Sequence, residues 1–374
     1  MRIGICCYPT YGGSGAVATE LGLAMAERGH EIHFVSYARP ARLTGYHANI
    51  SFHRVQVTPY PLFKYPPYDL ALASLLRDVS ESRRLDVLHV HYAIPHAVSA
   101  LLARDMLGTR APRIVTTLHG TDITIVGLDR AYFQPTRYGI ERSDVVTTVS
   151  EWLRGETLRF FQPSRGIEVL PNFVDVGRFQ PREESELRMC LVPRGEKVLS
   201  HVSNFREVKR VRDVIGIFAR TAACVPARLL LAGDGPEIAT AERAAQEAGV
   251  GDRVHFLGEQ EDVERVYGAS DLFLLPSEHE SFGLSALEAL ACGVPVVGTD
   301  SGGLPEVVQD GRTGYLVEVG DVERAAEHAV RLLRDDVLRR RMGEAARADA
   351  VQRFAEPSIV ERYLALYERA LAAG

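Results

Sequence analysis

Short, continuous apolar runs alternate along the chain with longer stretches in which apolar residues recur every three or four positions. The runs RIGICCY, EIHFVSY, DVLHVHY, RIVTTLH and DVVTTVS lack the alternation of a strand with one wet face. They predict strands covered on both sides, as in a parallel sheet. The helical stretches between them, the first over residues 15–29 and closed by Gly29, make βαβ units. A second series begins near residue 195, with strands at KVLSHVS, ARLLLAG, RVHFLG, DLFLLP and VPVVGTD and helices at 210–223, 236–248, 261–267 and 283–291. Between the series lies LPNFVDVGRFQPREE, whose two prolines and polar run predict a boundary near residues 175–180. The last stretch, SIVERYLALYERALAA, repeats Ile359, Val360, Tyr363, Leu364, Tyr367 and Leu371 at helical spacing, and periodicity alone leaves its docking open. The fold class is therefore α/β, with two Rossmann-like domains whose strand carboxyl ends are expected to face a cleft. Ligands of such sheets bind outside those ends, which directs attention to the residues just after each strand.

Composition narrows the function classes. The 374 residues suggest two domains at about 150 residues each, and 46% hydrophobic with 25% charged residues excludes a disordered chain. With 43 basic and 49 acidic residues the net charge is −6, so no sequence-wide basic field exists for nucleic acid or an anionic membrane. Cys6, Cys7, Cys190, Cys224 and Cys292 are odd in number and unpaired in spacing, which argues against a disulfide framework and fits a reducing compartment. Cys6 and Cys7 read as small hydrophobes of a buried strand. No apolar run approaches the ~18 residues of a membrane span, and MRIGICCYPT reads as a first core strand rather than a signal peptide. Only Lys64, Lys197 and Lys209 are lysines. In a chain that otherwise uses Arg, a retained Lys hints at a need for a compact ammonium.

Five stretches carry candidate chemistry. YGGSGAVATE follows the first strand, and its glycines with the helix start behind them offer backbone N–H groups to an anion. Gly13-Ser14-Gly15-Ala16-Val17-Ala18 also fits a dinucleotide fingerprint, but the second strand ends in Tyr37, Ala38 and Arg39 with no acid for a ribose, which disfavours NAD and leaves NADP through Arg39. HVHYAIPHA holds His89, His91 and His96, with no carboxylate or thiolate to complete a metal set, and Tyr92 at the strand end. TTLHGTDIT places His119 just after a strand, with Asp122 able to orient the loop. HVSNFREVKRV clusters Asn204, Arg206, Lys209 and Arg210 where a strand meets a helix, which suits a diphosphate. LPSEHESFGLSALEALACGVPVVGTDSGGLPEVV is the most specific stretch. Glu280 precedes a helix expected to start at Ser281, Phe282 and Gly283, and Glu288 lies within it. Two turns, ~12 Å, are too far for a paired acid and base and suit two separate hydroxyl-binding tasks. Glu288, among Leu284, Leu287, Leu290 and Ala291, needs a partner that a sugar diol would supply. Asp-x-Asp, Walker and Gly-x-Ser-x-Gly motifs are all absent from the sequence.

Together these residues resemble the retaining nucleotide-sugar glycosyltransferases of the GT-B type, over nearly the whole chain. The strongest element is Glu280-x7-Glu288 followed by ACGVPVVGTDSGGLPEVV. CYPTYGGSGAVATELG, HYAIPHAV, TTLHGTDIT, NFVD and HVSNFREVKRV are similar to the family of N-acetylglucosaminyl L-malate synthases of bacillithiol synthesis. The resemblance implies a bacterial, cytoplasmic enzyme that moves N-acetylglucosamine from its UDP derivative to the hydroxyl of L-malate with retention and without a metal or other cofactor. It implies a first domain over 1–177 that binds the acceptor, a second over 178–356 that binds the UDP-sugar, and a terminal helix, 357–374, crossing back to the first. Its implied small-molecule substrates leave no place for nucleic acid or stable membrane association, and self-association into a homo-oligomer stays open.

By the same resemblance Glu288 would bind the ribose, while Glu280 with Ser281, Phe282 and Gly283 would hold the hexose and diphosphate. Lys209 would contact the diphosphate beside Arg206 and Asn204. Asn204 stands where relatives usually carry Arg, so which of the two meets phosphate is open. His119 would approach the donor sugar, and Gly13 and Ser14 would line the diphosphate and acceptor. Ser14, Tyr92, Thr117, Arg137 and Asn172 are the candidates for malate. His119, Lys209 and Glu280 are the expected catalytic residues, and no metal ligand is expected. A UDP-N-acetylglucosamine 2-epimerase and a catalytically silent nucleotide-sugar-binding module are the alternatives.

Overall fold

In the computed structural model, which describes residues 1–10, 12–182, 185–192 and 195–373, the apolar runs of the first series become strands. In chain order these are β1 (Arg2–Cys6), β2 (Glu31–Ser36), β3 (Ile50–Arg54), β4 (Val87–His91), β5 (Arg113–Leu118), β6 (Val145–Thr148) and β7 (Glu168–Val169). The second series gives β8 (Lys197–Val202), β9 (Ala227–Ala232), β10 (Val254–Gly258), β11 (Leu272–Leu275), β12 (Val296–Thr299) and β13 (Gly314–Val317). Among the described residues they form two parallel sheets, in the orders β3-β2-β1-β4-β5-β6-β7 and β10-β9-β8-β11-β12-β13. In each sheet the order reverses beside the first strand of its series, the kind of switch point at which doubly wound folds bind ligands.

Three strands escaped the hydrophobic pattern. β3 is a half-buried edge with His53 and Arg54 in it, β7 has two residues, and β13 has four. The helix expected over 15–29 spans Gly13–Glu27, and the one expected to begin at residue 281 begins at Leu284. Gly283 sits before it with φ of 94°, a left-handed conformation that a helix interior does not accept.

Each sheet belongs to its own unit, the first Met1–Asn172 together with the residues from Pro357 onward, the second Phe173–Glu356. The division after Asn172 corrects the expected 177/178 boundary. Val174 donates its N–H to Phe354 O at 2.9 Å and accepts from Glu356 N at 3.0 Å, while Arg347 binds the carbonyls of Val176 and Phe179. Residues 173–179 are thus tied by their backbone to the second unit. The helix Glu356–Ala372 buries Ile359, Val360, Tyr363, Leu364 and Tyr367, and Tyr367 Oη lies 2.6 Å from His89 Nδ1 within the first unit. Among the described residues no helix is long and apolar enough to cross a membrane.

Candidate functional site

In the first unit the candidates gather at the carboxyl ends of β1, β4 and β5. The helix after β1 starts with Gly15 N and Ala16 N donating to Gly12 O at 3.0 and 3.2 Å. A Cβ on Gly15 would lie 2.5 Å from Thr10 O, so only glycine lets the helix begin this close to the loop. Ser14 Oγ, on its first turn, accepts from Tyr92 Oη at 2.8 Å. Tyr92 follows β4 with φ of 88°, an uncommon conformation for a bulky residue, of the kind found where a site over-determines its backbone. The rings of Tyr8 and His119 pack against it, at centroid distances of 5.3 and 5.2 Å.

Asp122 ties the two loops together. Its carboxylate accepts from His119 N and Gly120 N at 3.2 and 3.0 Å and from Ala93 N at 2.9 Å. Burial pushes its pKa up to about 6, against the backbone donors that favour the charged form. The three histidines of HVHYAIPHA find their partners within the first unit. His91 Nδ1 lies 2.8 Å from His119 Nε2, and His96 Nδ1 lies 2.5 Å from His91 O. His89 meets Tyr367 Oη and Thr117 Oγ1 at 2.6 and 2.7 Å. Desolvation pushes His89 and His119 down to about 3 and His96 to about 4, so all four rings, His91 included, are held neutral. Among the described residues no three His, Cys, Asp or Glu side chains come together as metal ligands.

One acceptor expectation changes. Thr117, 1% exposed, bonds His89 and Thr147 Oγ1, both at 2.7 Å, because its position on β5 turns it toward His89 and the terminal helix. Its hydroxyl is committed to the interior, so Thr117 leaves the acceptor set. Arg39 donates to the carbonyls of Leu43 and Gly45 at 2.8 and 2.9 Å, which ties it to its own loop. Arg137 is exposed on the helix Phe133–Arg142, and Asn172 is buried with no partner for its Oδ1.

In the second unit the two ends of the proposed donor site meet directly. Lys209 Nζ donates to Glu280 Oε1 at 2.7 Å, and Ser277 Oγ donates to the same oxygen at 2.7 Å. Gly303 N donates to Glu280 O at 2.6 Å, and a Cβ on Gly302, whose φ is 67°, would lie 2.1 Å from that carbonyl. The loop after β12 is thereby pressed beneath Glu280. Glu278 N, bonded to Val208 O at 2.8 Å, joins the loop after β11 to the turn Glu207–Lys209.

Of the cations after β8, Arg210 turns away to Asp213 at 2.6 Å. Phe205 is buried with φ of 33°, and it leaves Asn204 and Arg206 exposed on either side. Phe282 is buried against Phe354, with ring centroids 5.6 Å apart. Glu288, 4% exposed, accepts from Tyr267 Oη at 3.0 Å. The partner its apolar helix face demanded is therefore a phenol of the protein. Ser277 and Tyr267 were not legible as site residues: Ser277 stands three positions before Glu280, but Tyr267 carries no spacing signal at all.

A model described as Glycosyltransferase Family 4 matches residues 11–178, and one described as Glycosyl transferases group 1 matches residues 185–349. N-acetyl-alpha-D-glucosaminyl L-malate synthase of Bacillus anthracis is 51% identical over 98% of this chain and 96% of its own length. D-inositol 3-phosphate glycosyltransferase of Mycobacterium tuberculosis (strain ATCC 25177 / H37Ra) is 33% identical over 78% of this chain and 63% of its own. Among solved structures, sucrose-phosphate synthase from Thermosynechococcus elongatus superposes with a TM-score of 0.84 at 22% identity over 100% of both chains. Anabaena HepE, solved in complex with UDP and glucose, gives 0.83 at 20% identity over 99% of this chain and 100% of its own.

Proposed function

The chain belongs to the GT-B glycosyltransferases that join a Family 4 domain to a group 1 domain, and from that premise we propose that it transfers N-acetylglucosamine from UDP-N-acetylglucosamine to the hydroxyl of L-malate, with retention. The observation that carries the reading is the 51% identity, across 98% of the chain, to an enzyme named for that product.

In this reading the second unit takes the donor. Glu288 receives the ribose hydroxyls beside Tyr267, and Glu280 with the backbone of Ser281, Phe282 and Gly283 receives the hexose. Lys209, with Arg206 and Asn204, meets the diphosphate. The leaving UDP gains negative charge as the glycosidic bond breaks, and a positioned ammonium stabilises that state more than the ground state. Lys209 is held for this task by Glu280, 2.7 Å away. No metal enters the reading, since the chain has no Asp-x-Asp pair to chelate a diphosphate and supplies a lysine instead. The first unit takes malate. Gly13 and Ser14 line the diphosphate and the acceptor, the Ser14 O–H left free by its bond from Tyr92 Oη and the Arg137 guanidinium offer donors to its carboxylates, and Asn172, buried with no partner for its Oδ1, lines the same end. Without a carboxylate placed as nucleophile, transfer proceeds on one face of the sugar, and the departing diphosphate accepts the hydroxyl proton.

The test is UDP release from UDP-N-acetylglucosamine with and without L-malate, with inositol phosphate as a rival acceptor and product identified by mass. Malate-dependent release of UDP with a glucosaminyl-malate product is expected. Release without malate and a free 2-epimer would make the chain an epimerase. Preference for inositol phosphate would reassign the acceptor, and tight UDP binding without turnover would make it a binding module.

A further inference from the structure

His91 has no part in the reading above, and we propose that it is a positioning residue: it fixes the tautomer of His119 so that His119 presents Nδ1 as a neutral N–H donor to its ligand. Only the identity of that ligand, an oxygen of the transferred sugar or of the acceptor, rests on the transferase reading.

The hydrogen bonds of His96, His91 and His119 leave one favoured arrangement of protons. His96 Nδ1 faces a carbonyl, His91 O, which can only accept, so the proton of neutral His96 is on Nδ1 and its Nε2 is a bare lone pair. That agrees with Nε2 being buried and without a partner. His91 Nδ1 and His119 Nε2, 2.8 Å apart, share one proton between two neutral rings. If His119 supplied it, the proton of His91 would sit on Nε2, which is also buried and has no partner. A buried N–H without an acceptor is rarer and costlier than a buried lone pair without a donor. The proton therefore belongs to His91 Nδ1, His119 Nε2 accepts it, and the proton of His119 is on Nδ1.

Geometry gives that nitrogen its role. His89, His91 and His96 are 0% exposed, while His119 is 9% exposed, and its Nδ1 has no partner among the described residues. His91 is itself held between rings, stacked on His89 at 4.4 Å and on His119 at 5.1 Å between centroids. His89 is anchored on both nitrogens by Tyr367 and Thr117. The terminal helix thus backs His89, which backs His91, the ring that meets His119. One chemical consequence follows. With a proton already on its outward nitrogen, His119 has no lone pair there to take the acceptor's hydroxyl proton, so it acts as a hydrogen-bond donor and not as a base.

Nitrogen-15 NMR of the full chain labelled at histidine tests the tautomer directly, with His119→Gln to assign the signal. A pyrrole-type Nδ1 and a pyridine-type Nε2 on His119 are expected at neutral pH, and the reverse pattern overturns the proposal. Kinetics give the second reading. His91→Phe keeps a flat ring but loses the donor, and kcat should fall by roughly 10-fold or more, the worth of one buried hydrogen bond, with UDP affinity unchanged. In His91→Asn the amide Nδ2–H stands where Nδ1–H stood, and it should restore most of the lost kcat. Equal losses in the two variants would overturn the positioning role. A wild-type chain that does not turn over malate would sink the transferase reading instead, and the NMR pattern would still decide the tautomer.

Discussion

Replacing Lys209 by Met separates the two tasks assigned to that side chain. Met keeps the length and the apolar stem, so the substitution removes the charge and the hydrogen bond to Glu280 and little else. The pair is 2.7 Å apart, and the two side chains keep only 19% and 11% of their exposure. At an effective dielectric near 20, opposite charges at this distance attract by about 6 kcal/mol before desolvation is subtracted. What remains after desolvation is typical of a charge-assisted hydrogen bond, and the variant should lose about 1.5–3 kcal/mol of stability, because among the described residues Ser277 is then the side-chain donor left to the Glu280 carboxylate. The effect on turnover has a different origin and a different size. Removing one preorganised contact to the developing charge of a leaving group lowers kcat by ~10²–10³-fold, about 2.7–4 kcal/mol. Urea unfolding measures the first quantity, and initial rates of UDP release at saturating substrates measure the second. Glu280→Gln supplies the comparison, since it keeps an acceptor for Lys209 but removes the carboxylate charge. If Lys209→Met unfolds at lower urea yet turns over at the wild-type rate, the lysine merely neutralises Glu280 and the diphosphate assignment is wrong.

Four further outcomes follow from the same geometry. Arg137→Ala should raise the Michaelis constant for malate roughly 10- to 150-fold, for the ~1.5–3 kcal/mol of a charge-assisted pair, and leave UDP affinity, titrated without malate, within about twofold; a large loss of UDP affinity would move Arg137 out of the acceptor site. Glu288→Ala should weaken UDP binding strongly, whereas Tyr267→Phe, which removes one hydrogen bond to Glu288, should weaken it by about 1 kcal/mol; equal effects would mean that Glu288 serves the fold and not the ribose. Turnover should survive excess EDTA, and loss on chelation with recovery in magnesium or manganese would reopen the role of His89, His91 and His96. Stability should fall as pH drops from 6.5 toward 3: the buried histidines are neutral when folded but bind protons near 6.5 when unfolded, His96 at about 4 alone accounting for roughly 3 kcal/mol. Asp122, raised to about 6, works in the opposite direction between 4 and 6, and urea midpoints that are no lower at pH 5 than at pH 7.5 would refute the neutral cluster.

What the sequence disclosed, and what it hid, divides along physical lines. The strands β1, β2, β4 and β5 were visible because strands buried on both faces must be continuously apolar. β3 was not, because a half-buried edge admits His53 and Arg54 and so loses its contrast with a loop. Glu280 and Lys209 were found as separate candidates, since the residue types and their places after strands are local signals. Their contact was hidden, because β8 and β11 are neighbours only in the sheet. The histidines show the same limit. HVHYAIPHA displays three of them together, but the bond that matters joins His91 to His119, and it exists because β4 pairs with β5 in a register that sets His91 beside Thr117. The start of the helix at Leu284 depended on one backbone angle, at Gly283, that no periodicity encodes.

The helix that carries Tyr367 is the last part of the first unit to be made. A ribosome finishes residues 1–172, then the whole of the second unit, before the residues from Pro357 onward emerge. At roughly 5–20 residues per second this leaves about ten seconds or more in which the nascent amino-terminal sheet has no cover for His89 and Thr117. The second unit is uninterrupted in the chain and can close first, while the earlier-made unit waits for its final segment. The order of maturation therefore inverts the order of synthesis. A chain truncated before the terminal helix would carry a complete second unit and a first unit whose histidine stack had never been set.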